Sequence, residues 1–271
     1  MNIETALDFI QKHGNKIDRY RITYLLNERQ NDEIPLKDLR NMQNTDGGFP
    51  YDLQKDKYSC VSQTCSMLSL IRELDLKKSD VCKKALQFLS KNQKQDGSWD
   101  ENPRIAGYKP PQWDMSGKIA TKTWLTAEIA NNLIQLGYND SEQVRKAAKF
   151  LKKNRDEKGK VVGYRIATWI AIPVFAQLKG IENETVQKSL KLVEEWLQEE
   201  DTDASFLTWY LSCLQDAKIP QDHPLTQKCL EKLAKLQQEN GSWTSVDGKR
   251  YNVSTTIAAL KLLRDFGVWT E

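Results

Sequence analysis

Long apolar runs are missing from this chain. No stretch reaches the length that a membrane-spanning helix needs, and the opening MNIETALDF has no charged-then-apolar leader pattern. Sustained alternation of apolar and polar residues is missing too, which argues against a domain built from strands. Histidine is reduced to two residues, His13 and His223, far apart in sequence, so a His-centred metal site is not expected. The five cysteines (Cys60, Cys65, Cys82, Cys213, Cys229) are odd in number and show no close disulfide or metal spacing. They read as buried free thiols, and a reducing, cytoplasmic setting is the expectation. Neither sign of charge dominates: 40 Lys and Arg against 37 Asp and Glu leave a net charge of +3, mixed along the chain. That balance lacks the basic stripe of a nucleic-acid binder, and no nucleic-acid partner is expected. No linker rich in Pro, Gly or Ser divides the sequence. The 271 residues exceed the usual single-domain length, yet one large helical domain over 1–271 can use them all.

What is present is helical period and repetition. Breaks at Gly, Pro and Asx clusters leave about twelve helices of two alternating kinds. The first kind is amphipathic: Val186, Leu190, Val193 and Leu197 share one face, and Lys188, Lys191, Glu194 and Glu195 cover the other. VCKKALQFLSK, EQVRKAAKFLKK and LTQKCLEKLAKLQQ follow the same plan. The second kind carries little charge on any side: VSQTCSMLSLIREL, IATKTWLTAEIANNLIQL, GYRIATWIAIPVFAQL, ASFLTWYLSCL and VSTTIAALKLL. Helices apolar nearly all round are buried ones. Alternation of half-buried and fully buried helices predicts two concentric layers, an all-α (α/α)6 barrel with outer and inner rings. Its helix pairs would span about 2–31, 35–75, 79–137, 141–179, 183–218 and 222–267. An open solenoid of helix pairs uses the same ingredients.

A punctuation mark recurs after the amphipathic helices. LRNMQNTDGGF, FLSKNQKQDGSW and LAKLQQENGSW each end a helix with Gln, place Gly four residues later and an aromatic two residues beyond that. FLKKNRDEKGKVVGY keeps the helix and the Gly but has Arg155 where the Gln would be. Gly permits a left-handed turn at a helix C-terminus, the aromatic can pack back on the helix end, and a Gln amide can satisfy backbone groups there. The expected role is a staple between repeats.

This pattern resembles the QW repeat of the squalene-hopene cyclase, oxidosqualene cyclase and protein prenyltransferase β-subunit superfamily, with a single-barrel class II terpene cyclase as the nearest type. The resemblance implies an (α/α)6 barrel whose pocket is lined by the N-terminal ends of the inner helices, and a linear isoprenoid or isoprenoid diphosphate as the small-molecule partner. Class II cyclases of the superfamily carry Asp-X-Asp-Asp-Thr at an inner helix start, the central Asp being the proton donor. Here Asp201-Thr202-Asp203-Ala204-Ser205 falls at the matching place, so Asp203 matches the acid and Asp201 its partner, with Ala204 and Ser205 departing from the pattern. The same stretch also reads as an ordinary capped helix start. Cation-steadying aromatics are expected on or just before inner helices: Trp124, Trp169, Phe206 and Trp209 on them, and Tyr58, Trp113, Tyr164 and Tyr251 leading into them. Trp99, Trp196 and Trp243 are expected to be packing.

Other branches of the superfamily imply other chemistry. Zinc-dependent prenyl transfer uses an Asp-X-Cys pair and a distant His; Asp80-Val81-Cys82 opens an outer helix and His223 precedes another, so no metal is expected. No cofactor is expected, except Mg2+ were the substrate a diphosphate. The thioester signature of complement-type barrels, Gly-Cys-Gly-Glu-Gln, is absent. A carbohydrate-active barrel would need two carboxylates across a cleft. Asp52, Asp100, Glu101 and Asp114 are candidates for them, and otherwise solvated loop charge. The alternative to an enzyme is a non-catalytic barrel that binds an isoprenoid lipid or a protein. Peripheral membrane contact, a homodimer or a second barrel covering the pocket are the larger partners left open.

Overall fold

A computed structural model describes residues 1–26, 32–199 and 202–269. Among them are twelve α-helices: α1 (Ile3–His13), α2 (Lys16–Leu25), α3 (Glu33–Met42), α4 (Val61–Glu73), α5 (Asp80–Asn92), α6 (Ile119–Gln135), α7 (Glu142–Lys153), α8 (Arg165–Lys179), α9 (Glu184–Glu199), α10 (Ala204–Asp216), α11 (Pro224–Lys235) and α12 (Asn252–Asp265). The strand content described is one two-residue antiparallel pairing of Phe49–Pro50 with Ser59–Cys60. The fold is all-α, as the periodicity predicts.

The two helix kinds separate as expected. On α9, Val186, Leu190, Val193 and Leu197 are buried, while Lys188 and Lys191 are exposed. On α8 every residue from Ala167 to Ala176 is buried. Helix starts are set by short polar side chains: Ser79 Oγ accepts from Cys82 N and Ser141 Oγ from Val144 N, filling donors that the first helical turn leaves orphaned. The cysteines are free and buried.

The chain packs as two compact units, Asn31–Leu192, and Met1–Gln30 with Val193–Glu271. In the first, α6 is the central helix, packed by α4, α7 and α8. In the second, α12 packs against α1, α2 and α10, and α10 against α11.

The repeated punctuation is a staple, built alike in both units. Gln43 Nε2 donates to Gly47 O within its own turn and to Val81 O at the start of α5. Gln93 Nε2 does the same to Gly97 O and to Gln143 O at the start of α7, and Gln237 Nε2 to Gly241 O and to Asn2 O, the cap residue of α1. Arg155 takes over the task in its copy, donating from Nε to Gly159 O and from Nη2 to Thr185 O on α9. A guanidinium fork can make both bonds, so the departure from Gln leaves the device intact. A threonine on the following inner helix completes each copy by accepting the backbone N–H of the residue two past the glycine. Thr64 accepts from Phe49, Thr126 from Trp99, Thr168 from Val161 and Thr256 from Trp243. Glycine is required because the next outer helix comes so close. With φ of 89°, a Cβ on Gly97 would stand 2.4 Å from Lys146 O, and at Gly241, with φ of 84°, 2.4 Å from Thr5 O.

Candidate functional site

Helix α4 begins without a cap of its own: Cys60 makes no side-chain capping bond to it. Its first N–H groups are satisfied from a distance by Glu101, two residues beyond the stapled Trp99. Glu101 Oε1 accepts from Val61 N at 2.6 Å and from Asn102 N at 2.6 Å; Oε2 accepts from Ser62 N at 2.8 Å and from the Cys60 thiol at 3.1 Å. The carboxylate is 1% exposed and sits on the positive end of the helix dipole. Its neighbour Asp100 is tied down likewise, accepting from Gly117 N with both oxygens and from Glu101 N, with Lys122 Nζ 3.9 Å away.

A third carboxyl group, Asp114, stands beside this pair on a short 3-10 turn, Gln112–Asp114. It is 9% exposed, and its Oδ1 has no hydrogen-bond partner among the described residues. Its pKa is raised to about 6, by burial first and by the Glu101 charge, against a hydrogen bond from the Ser62 side chain that lowers it. Asp114 in turn acts on Tyr164, the residue at the start of α8, whose hydroxyl pKa is raised by burial first and by the Asp114 charge second. Cys60 is pushed far above the ordinary thiol range by burial and by Glu101, so it is a poor source of thiolate. The N-terminal ends of α4 and α8 thus hold the Glu101 carboxyl, fixed by backbone donors, a second carboxyl on Asp114 with its pKa raised to about 6, a hydroxyl on Ser62 and a phenol.

Asp100, Glu101 and Asp114 correct the reading of loop carboxylates as solvated charge: they are 9%, 1% and 9% exposed. The loop carries them inward because it follows a tryptophan that must be buried. Asp52 remains exposed and bonds Gln54.

The other expected site residues are distributed as follows. In the unit of residues 31–192, Trp169 belongs to the packed face of α8, Trp124 and Tyr164 are half-buried, and Trp113 and Tyr58 are exposed, the latter flanked by Arg104 and Tyr108. In the other unit, Phe206 meets Trp209 edge to face, Trp209 is exposed, and Tyr251 is half-buried beneath Arg250. Asp201 lies outside the described residues. Asp203 caps α10: Oδ1 accepts from Phe206 N and Ser205 Oγ, and Oδ2 accepts from Val246 N in the loop before α12. Asp203→Ala is therefore expected to cost about 0.5–2 kcal/mol in a urea titration. Asp203→Asn should cost about 1 kcal/mol, since its amide must turn an N–H₂ toward either Val246 N–H or the helix start.

Asp80 pairs with Arg40, Cys82 is buried, and His223 Nδ1 accepts from Leu225 N as the cap of α11. Among the described residues no group of three or more His, Cys, Asp or Glu is placed to hold a metal ion, and no helix is long and apolar enough to cross a membrane.

Two comparisons place this arrangement. In three dimensions the chain is similar to the type II terpene cyclase MstE from Scytonema, with a TM-score of 0.66 at 11% identity over 97% of each chain. A variant of MstE in complex with geranylgeranyl dihydroxybenzoate, named as its substrate, gives 0.61 at 13% identity over 97% of each chain. A crystal structure of a protein from Actinoplanes gives 0.63 at 14%, covering 97% of this chain and 98% of the other. At such identities the likeness shows the fold alone, the α/α barrel seen in terpene cyclases. In sequence, the model of the A-macroglobulin TED domain matches residues 61–209, more than half of the chain. The chain belongs to the A-macroglobulin TED domain family. No curated protein matches it.

The family gives one more stretch a meaning. Ser59-Cys60-Val61-Ser62-Gln63 keeps the Cys and Gln of Gly-Cys-Gly-Glu-Gln at their spacing and none of its other residues.

Proposed function

We propose that this protein is a protonation-initiated, class II cyclase of a linear isoprenoid, with Asp114 as the acid and Asp203 as a helix cap. The observation that carries the proposal is the Asp114 carboxyl: buried, protonated up to about pH 6, with one oxygen unpaired among the described residues. Acid-initiated cyclisation needs such a group, since a carboxyl kept neutral by its surroundings can surrender a proton that a solvated one has already lost. In the first step the Asp114 O–H bond breaks as a C–H bond forms on a terminal alkene, leaving a carboxylate and a tertiary cation. Ser62 supports the carboxylate through its hydrogen bond, and Tyr164 and Trp124 offer aromatic faces to the cation. Glu101, held by backbone donors, faces the group and opposes a second negative charge next to it. Loss of a proton from the final cation gives a cyclic isomer and restores the acid.

The test is incubation with a panel of linear isoprenoids and their diphosphates, followed by extraction and mass spectrometry. A product isomeric with its substrate is expected from wild type and from Asp203→Asn, and none from Asp114→Asn. Conversion of nothing on the panel, or full activity in Asp114→Asn, overturns the proposal.

The Cys60-X-X-Gln63 spacing, in a chain of this family, favours a second reading, an internal thioester. The Cys60 thiol would attack the Gln63 side-chain carbonyl, forming C–S and expelling ammonia. Intact mass short by one ammonia, rising by the whole mass of an added small amine as the thiol is freed, would support it. An unmodified mass with a thiol titratable after unfolding removes it.

A further inference from the structure

We propose that the face around the start of α6 docks on an anionic lipid surface. Four large apolar side chains are exposed there: Trp113 at 42%, Met115 at 40%, Ile119 at 43% and Val162 at 44%. The backbone brings them together. Thr123 Oγ1 donates in a forked bond to Ile119 O at 3.0 Å and Val162 O at 2.7 Å, tying the loop before α8 to the first turn of α6. Gly163 lies so near that a Cβ on it would stand 2.6 Å from Ala120 Cα. The turn that carries Trp113 packs against the same helix. Large exposed apolar residues scattered singly need no account, but a group on one helix end does.

Charge decides what the group fits. From residue 102 to 127 the one acidic residue is Asp114, which is buried, while Arg104, Lys109, Lys118 and Lys122 are basic. In the segment before α8 the exposed Asp156 and Glu157 offset Lys158 and Lys160, and Arg165 follows. Lys109 and Lys118 are exposed beside Trp113 and Ile119. A tryptophan and aliphatic side chains on a segment that also exposes Lys109 and Lys118 match the interfacial zone of a bilayer, where indole settles among headgroups and cations meet lipid phosphates. A second copy of the chain fits worse: a two-fold contact would set this cationic face against itself. The inference rests on this surface alone and stands or falls separately from the role of Asp114.

The experiment is co-sedimentation of the full chain with phosphatidylcholine vesicles, with and without phosphatidylglycerol, at low and high salt. Binding to the phosphatidylglycerol vesicles is expected, weakened by salt and weak on phosphatidylcholine alone. Lys109→Glu with Lys118→Glu should lower partitioning by about tenfold or more, and Trp113→Ser with Ile119→Ser comparably, both with an unchanged circular dichroism spectrum. Failure to bind either vesicle, equal binding to both at every salt concentration, or wild-type partitioning by both folded variants overturns the proposal. So does a wild-type dimer in analytical ultracentrifugation that Trp113→Ser with Ile119→Ser dissociates, which would assign the face to a second copy.

Discussion

Trp243→Ala is expected to lower the free energy of unfolding by about 3–5 kcal/mol, read as a fall in the urea midpoint with little change in slope. The ring is fully buried. Its Nε1 donates to Leu233 O at 2.7 Å, closing the end of α11, and its backbone N–H reaches Thr256 on α12 at 3.0 Å. Truncation opens a cavity and removes one of the two donors to the Leu233 carbonyl, the other being Leu236 N–H, and both effects act in the same direction. Trp99→Ala should behave alike, because Trp99 is equally buried and Nε1 donates to Leu89 O at 2.7 Å. The control is Trp209→Ala: at 42% exposure it should cost less than about 1 kcal/mol. Should Trp243→Ala unfold at the wild-type midpoint, the staple would not be what holds α11 to its neighbours.

The staple was legible because every residue in it has a local reason. Gln ends a helix, Gly turns the chain, and the aromatic returns to the helix just finished. Arg155 looked like a broken copy, yet the structure keeps both bonds, since what the turn requires is a forked N–H donor and not an amide. Glu101 was illegible for the opposite reason. Its partners Val61 and Ser62 lie about forty residues upstream, and a glutamate followed by Asn, Pro and Arg looks like any solvated loop. Burial of a charge is decided by what the fold brings to it. Asp203 shows the limit from another side: an acid at an inner helix start and a cap at that start are written with the same residues, and the bonds from Phe206, Ser205 and Val246 show the cap. The barrel class could thus be read from periodicity, whereas the carboxyl cluster required long-range contacts.

Asp114→Asn is expected to abolish turnover while making the protein more stable above about pH 6, a combination that separates an acid from a structural residue. The ordinary Asp pKa of 3.8 is raised to about 6 in the folded chain, which corresponds to a cost of about 3 kcal/mol for ionising the group in its place. Below the unfolded value the group is protonated in both states and contributes no penalty. As pH rises the unfolded chain gives up its proton first, so native stability declines until the folded group has also ionised near 6, and the penalty is complete above that. Asparagine keeps the size and never ionises. Its stability should therefore lack this decline, and the gap from wild type, read from urea midpoints between pH 4 and 8, should open in that window and reach at most about 3 kcal/mol. Turnover should follow the protonated fraction, so wild-type rates are expected to fall above about pH 6. Glu101, Ser62 and Tyr164 face the group, and Glu101→Gln tests the coupling: without that neighbouring charge, the fall in rate should move to lower pH. An Asp114→Asn protein that is no more stable than wild type at pH 8, or one that still converts substrate, would remove Asp114 from the chemistry and leave the start of α4 to the Cys60–Gln63 reading.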